Sequence, residues 1–555
     1  MMLSSLFLFL DMTNKELAAQ FKLLGDIMEL HGENAFKIRS YSNAYLTLRK
    51  YPDAVGELPE SERANIKGIG KAINAKITEL VETGSMQTLE RYKGQTPAGL
   101  LELLQIKGLG AKKVRVIWKE LGIESLGELS YAINENRLVE LNGFGAKTQE
   151  SLKQKLEYFQ QSKGFFHYAY LYDVATGVID ALKKNGPEQA TVEAIGTFAQ
   201  QQVVGEQIEL LVDFEINPSV LESLGFEGVD LSSNPSIYKS ETGVKLVIQQ
   251  VDKEHVGSVL LAASAWPEGQ EPVISPDFAT ESAFFEAQNW AFIPASIRHL
   301  DFVLEQSKSG FPYPLVEQAD IKGVIHNHST YSDGMNTMEE MVQSAQTEGY
   351  SYMLMTDHSK AAFYANGLKE ERVIQQWEAI DALNASMEGF TLLKGIECDI
   401  LSDGSLDYET DILKGFDAVI VSVHSNLNMD EAKATARIIK AIENPYAHIL
   451  GHPTGRLLLS RKGYPIDHKK IIDACASNGV HIELNANPWR LDLDPQWIPY
   501  AMEKGVQICI NPDAHSIKGI QDIKYGVLAA QSGGLSKAMC LNAKSCSDFL
   551  QSLKR

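Results

Sequence analysis

Apolar and polar positions follow three regimes along the chain. Up to about residue 160 the apolar residues recur at helical spacing, broken by glycine-bearing turns, which predicts an all-α region. Residues 161–305 bring short β-rich runs, among them Glu206-Gln-Ile-Glu-Leu-Leu-Val212 and Gly243 to Val251, which predict an α+β fold. From Lys322 onward short apolar runs alternate with helical stretches, the signature of a parallel sheet or barrel. Seven such runs are visible: Gly323–His326, Tyr352–His358, Leu392–Glu397, Ala418–His424, His448–His452, Val480–Asn485 and Val506–Asp513. Ser307 to Asp320, with Gly310, Pro312 and Pro314, reads as the linker into this last region. The expected boundaries are 12–90 and 91–160 for two helical domains, 161–305 for the α+β domain, 306–320 for the linker and 321–555 for the barrel.

Six of the seven runs finish in a His, Asp or Glu, and His515 lies two residues beyond Asp513. In a closed β/α barrel all C-terminal strand ends meet on one face, so residues scattered over nearly two hundred positions become neighbours. In an extended strand His326 and His328 project to the same side, and Asp333 follows five residues on. A lone His-x-His reads equally well as two surface histidines beside a turn. The whole set does not: His326, His328, Asp333, His358, Glu397, His424, His452, Asp513 and His515 match the nitrogen and oxygen ligands of zinc, manganese or iron. His448, His468 and His481 fall elsewhere in their elements and are read as structural.

Length and charge narrow the picture. A chain of 555 residues is too long for one core and predicts about three or four domains. The net charge of −21 argues against a nucleic-acid binder held by long-range attraction. Its distribution is uneven: about +1 over residues 1–160, about −15 over 161–320 and about −7 over 321–555. Only the first third is electrostatically permissive toward phosphate. The five cysteines, Cys398, Cys475, Cys509, Cys540 and Cys546, are odd in number and lack Cys-x-x-Cys spacing, which suits a reducing cytoplasm. Met1 to Leu10 is apolar but short and unpreceded by basic residues, so neither a signal peptide nor a membrane anchor is expected, and the native start is expected at Met12.

The first third repeats one motif three times: Ile66-Lys-Gly68-Ile-Gly70-Lys71, Ile106-Lys-Gly108-Leu-Gly110-Ala-Lys112 and Leu141-Asn-Gly143-Phe-Gly145-Ala-Lys147. Each precedes an amphipathic helix. A Gly-x-Gly turn at a helix N-terminus lets backbone N–H groups approach a phosphate without Cβ interference, and the helix dipole and a following Lys add favourable charge. A single such turn is commonly a tight packing turn. Three with matching apolar and basic positions point to the helix-hairpin-helix grip on a DNA backbone, which does not read sequence, at a gapped, nicked or single-stranded end.

The arrangement resembles bacterial family X DNA polymerases. That resemblance implies a palm with a Gly-Ser turn followed by two arginines, an Asp-x-Asp pair and a third Asp on a later strand. Here the turn is Gly196-Thr197, the arginine positions hold Ala199 and Gln200, and the acids are Gln207 and Glu209. Glu206, by strand alternation, faces away from Glu209. Val247 and Gln249 stand where the third Asp and an Arg are expected, and valine cannot bind Mg²⁺. The segment after Val259 is shorter than the family's thumb. The palm is therefore expected to have lost polymerisation and kept its packing.

The C-terminal order His-x-His, Asp, Thr-Asp-His, Glu, Ser-Val-His, Gly-His-Pro, Asp-Ala-His resembles the polymerase and histidinol phosphatase (PHP) family, with every motif present between residue 321 and about 550. The resemblance implies a (β/α)7 barrel with up to three divalent metals, Mn²⁺, Zn²⁺ or Fe²⁺. It assigns His326, His328, Glu397 and Asp513 to one metal, a shared Glu397 with His424 and His452 to a second, and Asp333, His358 and His515 to a third. Metal-assisted phosphoester hydrolysis is the reaction class expected of such a ligand set. Arg456 and Arg490, on loops of the same rim, read equally as substrate-phosphate ligands or as ordinary arginines. The expected function is a DNA-acting, Mn²⁺-dependent 3′-5′ exonuclease or 3′-end processing enzyme of DNA repair, monomeric and cytoplasmic. The alternatives are a small-molecule phosphatase of the histidinol phosphate type and a DNA-bound scaffold with an inert barrel.

Overall fold

The helical N-terminal region carries its boundaries in its sequence. In a computed structural model that describes residues 12–554 apart from 107, 140, 142, 162–163, 276 and 311–312, helix Asn14–Leu30 opens with a capping box between Thr13 and Glu16. The apolar opening Met1 to Leu10 lies outside the described residues. That helix buries Leu17, Phe21, Leu24 and Ile27 along one stripe, at i, i+4, i+7 and i+10. The chain divides into two compact units, one formed by the residues up to Ile133 with Leu138–Phe159, the other by Asn134–Arg137 with Gln160–Arg555.

In the first unit the three glycine turns share one conformation. Gly68, Gly108 and Gly143 have φ of 100°, 95° and 89°, a region closed to side-chain-bearing residues. The second glycine of the first two motifs, Gly70 and Gly110, is the N-cap of helices Lys71–Thr83 and Ala111–Leu121, and neither helix has a side-chain cap. A third helix, Ala146–Gln161, follows Gly145.

The second unit opens with a five-stranded sheet in the order Val192–Ala194, Gln207–Val212, Lys245–Gln250, Ser236–Ser240, Phe226–Asp230. Only its second and third strands run parallel to each other. Residues of helix Tyr168–Asn185, among them Leu171, Ala175, Val178 and Leu182, close its core. A smaller cluster around Phe284 and Phe285 follows. There the buried Arg298 is satisfied by Glu281 at 2.5 Å and by the Ile293 carbonyl. The expected linker, 306–320, contains the end of helix Val303–Lys308 and the short turn Gln318–Asp320.

Seven parallel strands make the barrel: β1 (Gly323–Asn327), β2 (Tyr352–Met355), β3 (Thr391–Asp399), β4 (Ala418–Ser422), β5 (Ile449–Leu450), β6 (His481–Asn485) and β7 (Ile508–Asn511). They are hydrogen-bonded in chain order. The ring is drawn nearly closed by a parallel bridge between Asn327 and Ala514, where His328 N donates to Ala514 O at 2.9 Å. Strand alternation sorts the apolar residues. Val324, Met353, Val419 and Leu450 pack with the helical residues Met341, Ile438 and Ile472, while Ile325, Leu354, Ile420 and Ile449 turn to the other face and pack with Phe549 of helix Cys546–Ser552. The first sheet is joined to the barrel by Asp173, which accepts from Lys524 Nζ at 3.0 Å and the Tyr525 hydroxyl at 2.6 Å.

Gly323 opens β1 because nothing larger fits. A Cβ there would lie 2.0 Å from the ring of Tyr352, which is itself fully buried. Gly323→Ala is expected to lower stability by about 1–3 kcal/mol through overpacking, read as a lower urea midpoint of the transition that carries the barrel; an unchanged midpoint would show that β1 and β2 can separate freely.

Candidate metal centre

The strand ends set the site. His326 leaves β1 with φ of 67° and Asp513 follows β7 with φ of 52°, both in the left-handed region. The pairing of β1 with β2 shifts register between Val324 and Asn327. Regular alternation was expected to place His326 and His328 on one side; the two rings do lie 5.3 Å apart, but through this kink rather than through an extended strand. Backbone strain of this kind persists only where its surroundings over-determine it, and it concentrates at functional sites.

All nine sequence-predicted residues converge on the mouth of the barrel. The buried Glu397, on β3, is the hub. Its Oε1 lies 3.4 Å from His326 Nε2, 3.1 Å from His424 Nε2 and 2.9 Å from His452 Nε2. Its Oε2 lies 2.8 Å from His358 Nδ1 and 3.7 Å from His328 Nε2. Asp513 Oδ1 is 3.1 Å from His328 Nε2 and 3.4 Å from His326 Nε2. Asp333 Oδ1 is 3.6 Å from His358 Nε2 and 3.4 Å from His515 Nε2. Three overlapping groups result: His328, Asp333, His358 and His515; His326, His328 and Asp513; His358, Glu397 and His424. Relative to the grouping implied by resemblance, His328 and His358 each reach two clusters.

The donor set fits divalent cations. Two ligands on one such ion, each at about 2.0–2.2 Å, stand about 3–3.6 Å apart, and six of the nine distances above fall in that range. Several buried ring and carboxylate atoms have no hydrogen-bond partner, including His326 Nε2, His328 Nδ1, both ring nitrogens of His358, His515 Nε2 and Asp333 Oδ2. Orphaned buried polar atoms are rare in folded proteins, and here they point at one another. The electrostatics agree. Burial alone would raise the Glu397 carboxyl, but His424, His326 and His358 outweigh it and hold the group well below the usual carboxylate range. Burial and the neighbouring His515 and His358 push His328 down to about 3, leaving its imidazole neutral and able to act as a ligand.

A further layer was missed by sequence reading. Glu483, fully buried on β6, accepts from His326 Nδ1 at 2.6 Å, from Asn511 Nδ2 at 2.7 Å and from the His452 backbone N–H at 3.1 Å. It leaves His326 Nε2 aimed at Glu397 and Asp513. Asp399 lies 3.3 Å from His424 Nδ1. Asp357 accepts from the backbone N–H groups of Ser329 and Ser332 at 2.8 and 3.0 Å, fixing the loop that carries Asp333. Period-two alternation could have found Glu483, two residues before the strand-terminal Asn485. Glu135 offered no such signal. It packs with Asn134–Arg137 as part of this unit and brings a carboxylate within 4.8 Å of ligand atoms of Asp513 and His515.

The two arginines take different surroundings. Arg456 binds the Asp494 carboxylate and the backbone carbonyls of Arg490 and Leu491, so its contacts favour the structural reading. Arg490 is 4% exposed. The three remaining histidines of the barrel have structural contacts: His448 Nδ1 accepts from Val419 N, His468 stacks on Trp497, and His481 Nε2 meets the Ser552 carbonyl.

Comparison with known proteins places this geometry. Residues 325–487 match the PHP domain, residues 12–86 a helix-hairpin-helix domain and residues 100–157 a SAM-like helix-hairpin-helix tandem. The chain is 32% identical over 573 aligned residues to the DNA polymerase/3′-5′ exonuclease PolX of Bacillus subtilis (strain 168), covering 98% of this chain and all of that protein. The chain belongs to the PolX family. The chain is also 30% identical over 252 residues to a probable phosphatase of Thermoanaerobacter sp. (strain X514), covering 42% of this chain and 97% of that protein. A probable phosphatase of Caldanaerobacter subterraneus subsp. tengcongensis is 28% identical over 207 residues, 34% of this chain and 74% of its own length. This PolX chain thus joins helix-hairpin-helix domains to a PHP domain whose His, Asp and Glu clusters could hold metal.

If Glu483 holds His326 in its ligand orientation, Glu483→Gln in this PolX chain should weaken Mn²⁺ binding about 10–100-fold with an unchanged circular dichroism spectrum. Titration calorimetry measures this, and wild-type affinity in the variant would rule the orienting role out.

Proposed function

We propose that this PolX-family chain is a metal-dependent phosphoesterase that hydrolyses DNA from a 3′ end and does not polymerise. The observation that carries the reading is the convergence of Glu397 and eight further nitrogen and oxygen donors at the barrel mouth, in a chain that also bears three glycine turns of matching conformation. His326, His328, Asp333, His358, Glu397, His424, His452, Asp513 and His515 would hold up to three divalent ions, Mn²⁺, Zn²⁺ or Fe²⁺, which supply Lewis acidity toward water and toward phosphoester oxygens. The protein's own part is positional. Glu483 and Asp399 fix the His326 and His424 rings, His515 Nδ1 lies 3.0 Å from the Asp513 carbonyl, and the loop tied to Asp357 presents Asp333. No serine or cysteine nucleophile is required.

Delivery of DNA falls to the first unit. A Cβ at Gly70, Gly110 or Gly145 would meet nothing within 4 Å, so packing does not demand glycine there, while Gly143, equally open, is already fixed by its φ of 89°. What a Cβ would obstruct is approach from outside, as expected of a backbone cradle for phosphate. Lys71, Lys112 and Lys147 are exposed beside these turns. Together with Gly68 and Gly108 these residues are the DNA-binding set we assign. A DNA-repair setting in the cytoplasm follows from this reading, and among the described residues no helix is long and apolar enough to cross a membrane.

The first sheet of the second unit supports the loss of nucleotide addition. Register pairs Glu209 with Val247 and Leu211 with Gln249. The one carboxylate in this set, Glu209, accepts from Thr197 N at 3.0 Å and from the Thr197 hydroxyl at 2.8 Å. It therefore occupies the Thr197 N–H and hydroxyl of the Gly196-Thr197 turn, donors that a nucleotide phosphate would need. A small-molecule phosphatase is the second reading, favoured by relatives named as probable phosphatases that match 42% of this chain over 97% of their own length.

Labelled 3′-ended DNA with Mn²⁺ should be shortened by the wild type and not by His326→Ala, with histidinol phosphate a poor competitor. Strong competition would favour the small-molecule reading. Replacing Lys71, Lys112 and Lys147 by Ala together should reduce the salt dependence of DNA binding by roughly 0.7–0.9 in log–log slope for each phosphate no longer neutralised, whereas an unaltered slope would remove the glycine turns from the DNA path. Primer extension should be undetectable in any metal.

A further inference from the structure

The loop after β2 is held by its own backbone. Ala362 N donates to Ser359 O at 3.0 Å, Ala365 N to Ala362 O at 2.9 Å, and Leu368 N to His358 O at 2.9 Å. Its two ends form a parallel bridge between Ser359 and Leu368. Flanking elements brace it: Ala361 N donates to Asp407 at 2.6 Å, the Tyr408 hydroxyl donates to Leu368 O, and Arg372 Nη1 donates to Asn366 O at 2.9 Å. Gly367 has no room for a side chain, since a Cβ would sit 2.0 Å from Ser359 O.

This fixed loop aims an aromatic residue at solvent beside the metal centre. Phe363 is 83% exposed, the most exposed phenylalanine among the described residues. It stands five residues after the candidate ligand His358. The next residue, Tyr364, meets it edge to face with ring centroids 5.8 Å apart, and the loop springs from His358, whose Nδ1 lies 2.8 Å from Glu397 Oε2. Elsewhere on the rim Met335, whose N–H donates to the His515 carbonyl at 2.7 Å, is 54% exposed, and Ile517 is 41% exposed. An unburied ring on a rigid support does nothing for folding. The nearby cations are already paired: Lys360 is bound to Glu370 at 2.6 Å, and Arg137, which lies over the Tyr364 ring, to Glu135 at 2.6 Å. The loop therefore offers a flat apolar face next to a phosphoester site.

We propose that Phe363 is a stacking platform for the nucleobase attached to the phosphoester being cleaved. The proposal rests on the DNA phosphoesterase reading and deepens it. A base has two π-faces whatever its identity, so stacking of this kind positions a terminal nucleotide without selecting sequence. It also requires that base to leave its helical stack, so single-stranded or frayed 3′ ends become the preferred substrate. Phe363 is a positioning residue in this scheme, not a catalytic one.

The test uses the full chain as wild type, Phe363→Ala and Phe363→Trp, with single-stranded oligonucleotides ending in a normal nucleotide or in an abasic tetrahydrofuran residue. Phe363→Ala should raise KM for the normal end by about tenfold or more, the range that base–aromatic stacking provides, and leave kcat and the abasic end unchanged. Phe363→Trp should restore the wild-type KM. In a separate binding measurement, a terminal 2-aminopurine joined through a hydrolysis-resistant methylphosphonate link should be quenched by wild type and by Phe363→Trp but not by Phe363→Ala. Equal quenching and equal KM in wild type and Phe363→Ala, or no quenching by wild type, would overturn the stacking role and leave the hydrolase reading standing. Quenching that depends on Phe363 in a protein that cleaves no DNA would keep the platform and remove the hydrolase reading.

Discussion

A fully buried carboxylate in the company of five imidazoles is the constraint around which the barrel is built. Glu397 lies within 3.7 Å of ring nitrogens from His326, His328, His358, His424 and His452. A charge taken out of water is costly unless it is paired or coordinated. The same holds for ring nitrogens that find no hydrogen-bond partner. Bringing these groups together makes sense in a site that is completed by cations.

The second layer keeps that arrangement in place. Glu483 is engaged by His326, by Asn511 and by the backbone of His452, and so links three strand ends through one side chain. Asp357 does the same for the loop bearing Asp333. Metal ligands oriented by carboxylates or carbonyls hold their tautomer and their direction before the ion arrives. The left-handed backbone at His326 and Asp513 belongs to the same design, since it turns both side chains inward at the position where β1 and β7 meet.

The two halves of the second unit show opposite outcomes of related chemistry. In the barrel every expected ligand is an N or O donor directed at its neighbours. In the first sheet the expected acidic positions hold Gln207, Glu209 and Val247, and the single carboxylate turns back on the Gly196-Thr197 turn. The packing of that sheet is intact, with Ile208, Leu210, Leu246 and Ile248 buried, so its fold does not depend on catalytic residues.

Much of the molecule was legible in the order of its residues. The seven apolar runs became seven strands, and the nine strand-end donors met at one mouth, because a parallel barrel gathers C-terminal strand ends whatever their separation along the chain. The glycine turns were equally plain, since their φ demands glycine wherever the motif recurs. Asp399 and Asp357 were not, because a buried carboxylate is distinguishable from any other only by what it touches. The contacts of Arg456 and the exposure of Phe363 likewise came only with neighbours brought from distant strands. Local pattern determined which elements form and which donors they carry; the directions of those donors, and which are already satisfied by the protein, came only with packing, because hydrogen-bond partners and solvent access are properties of surfaces in contact rather than of residues in order.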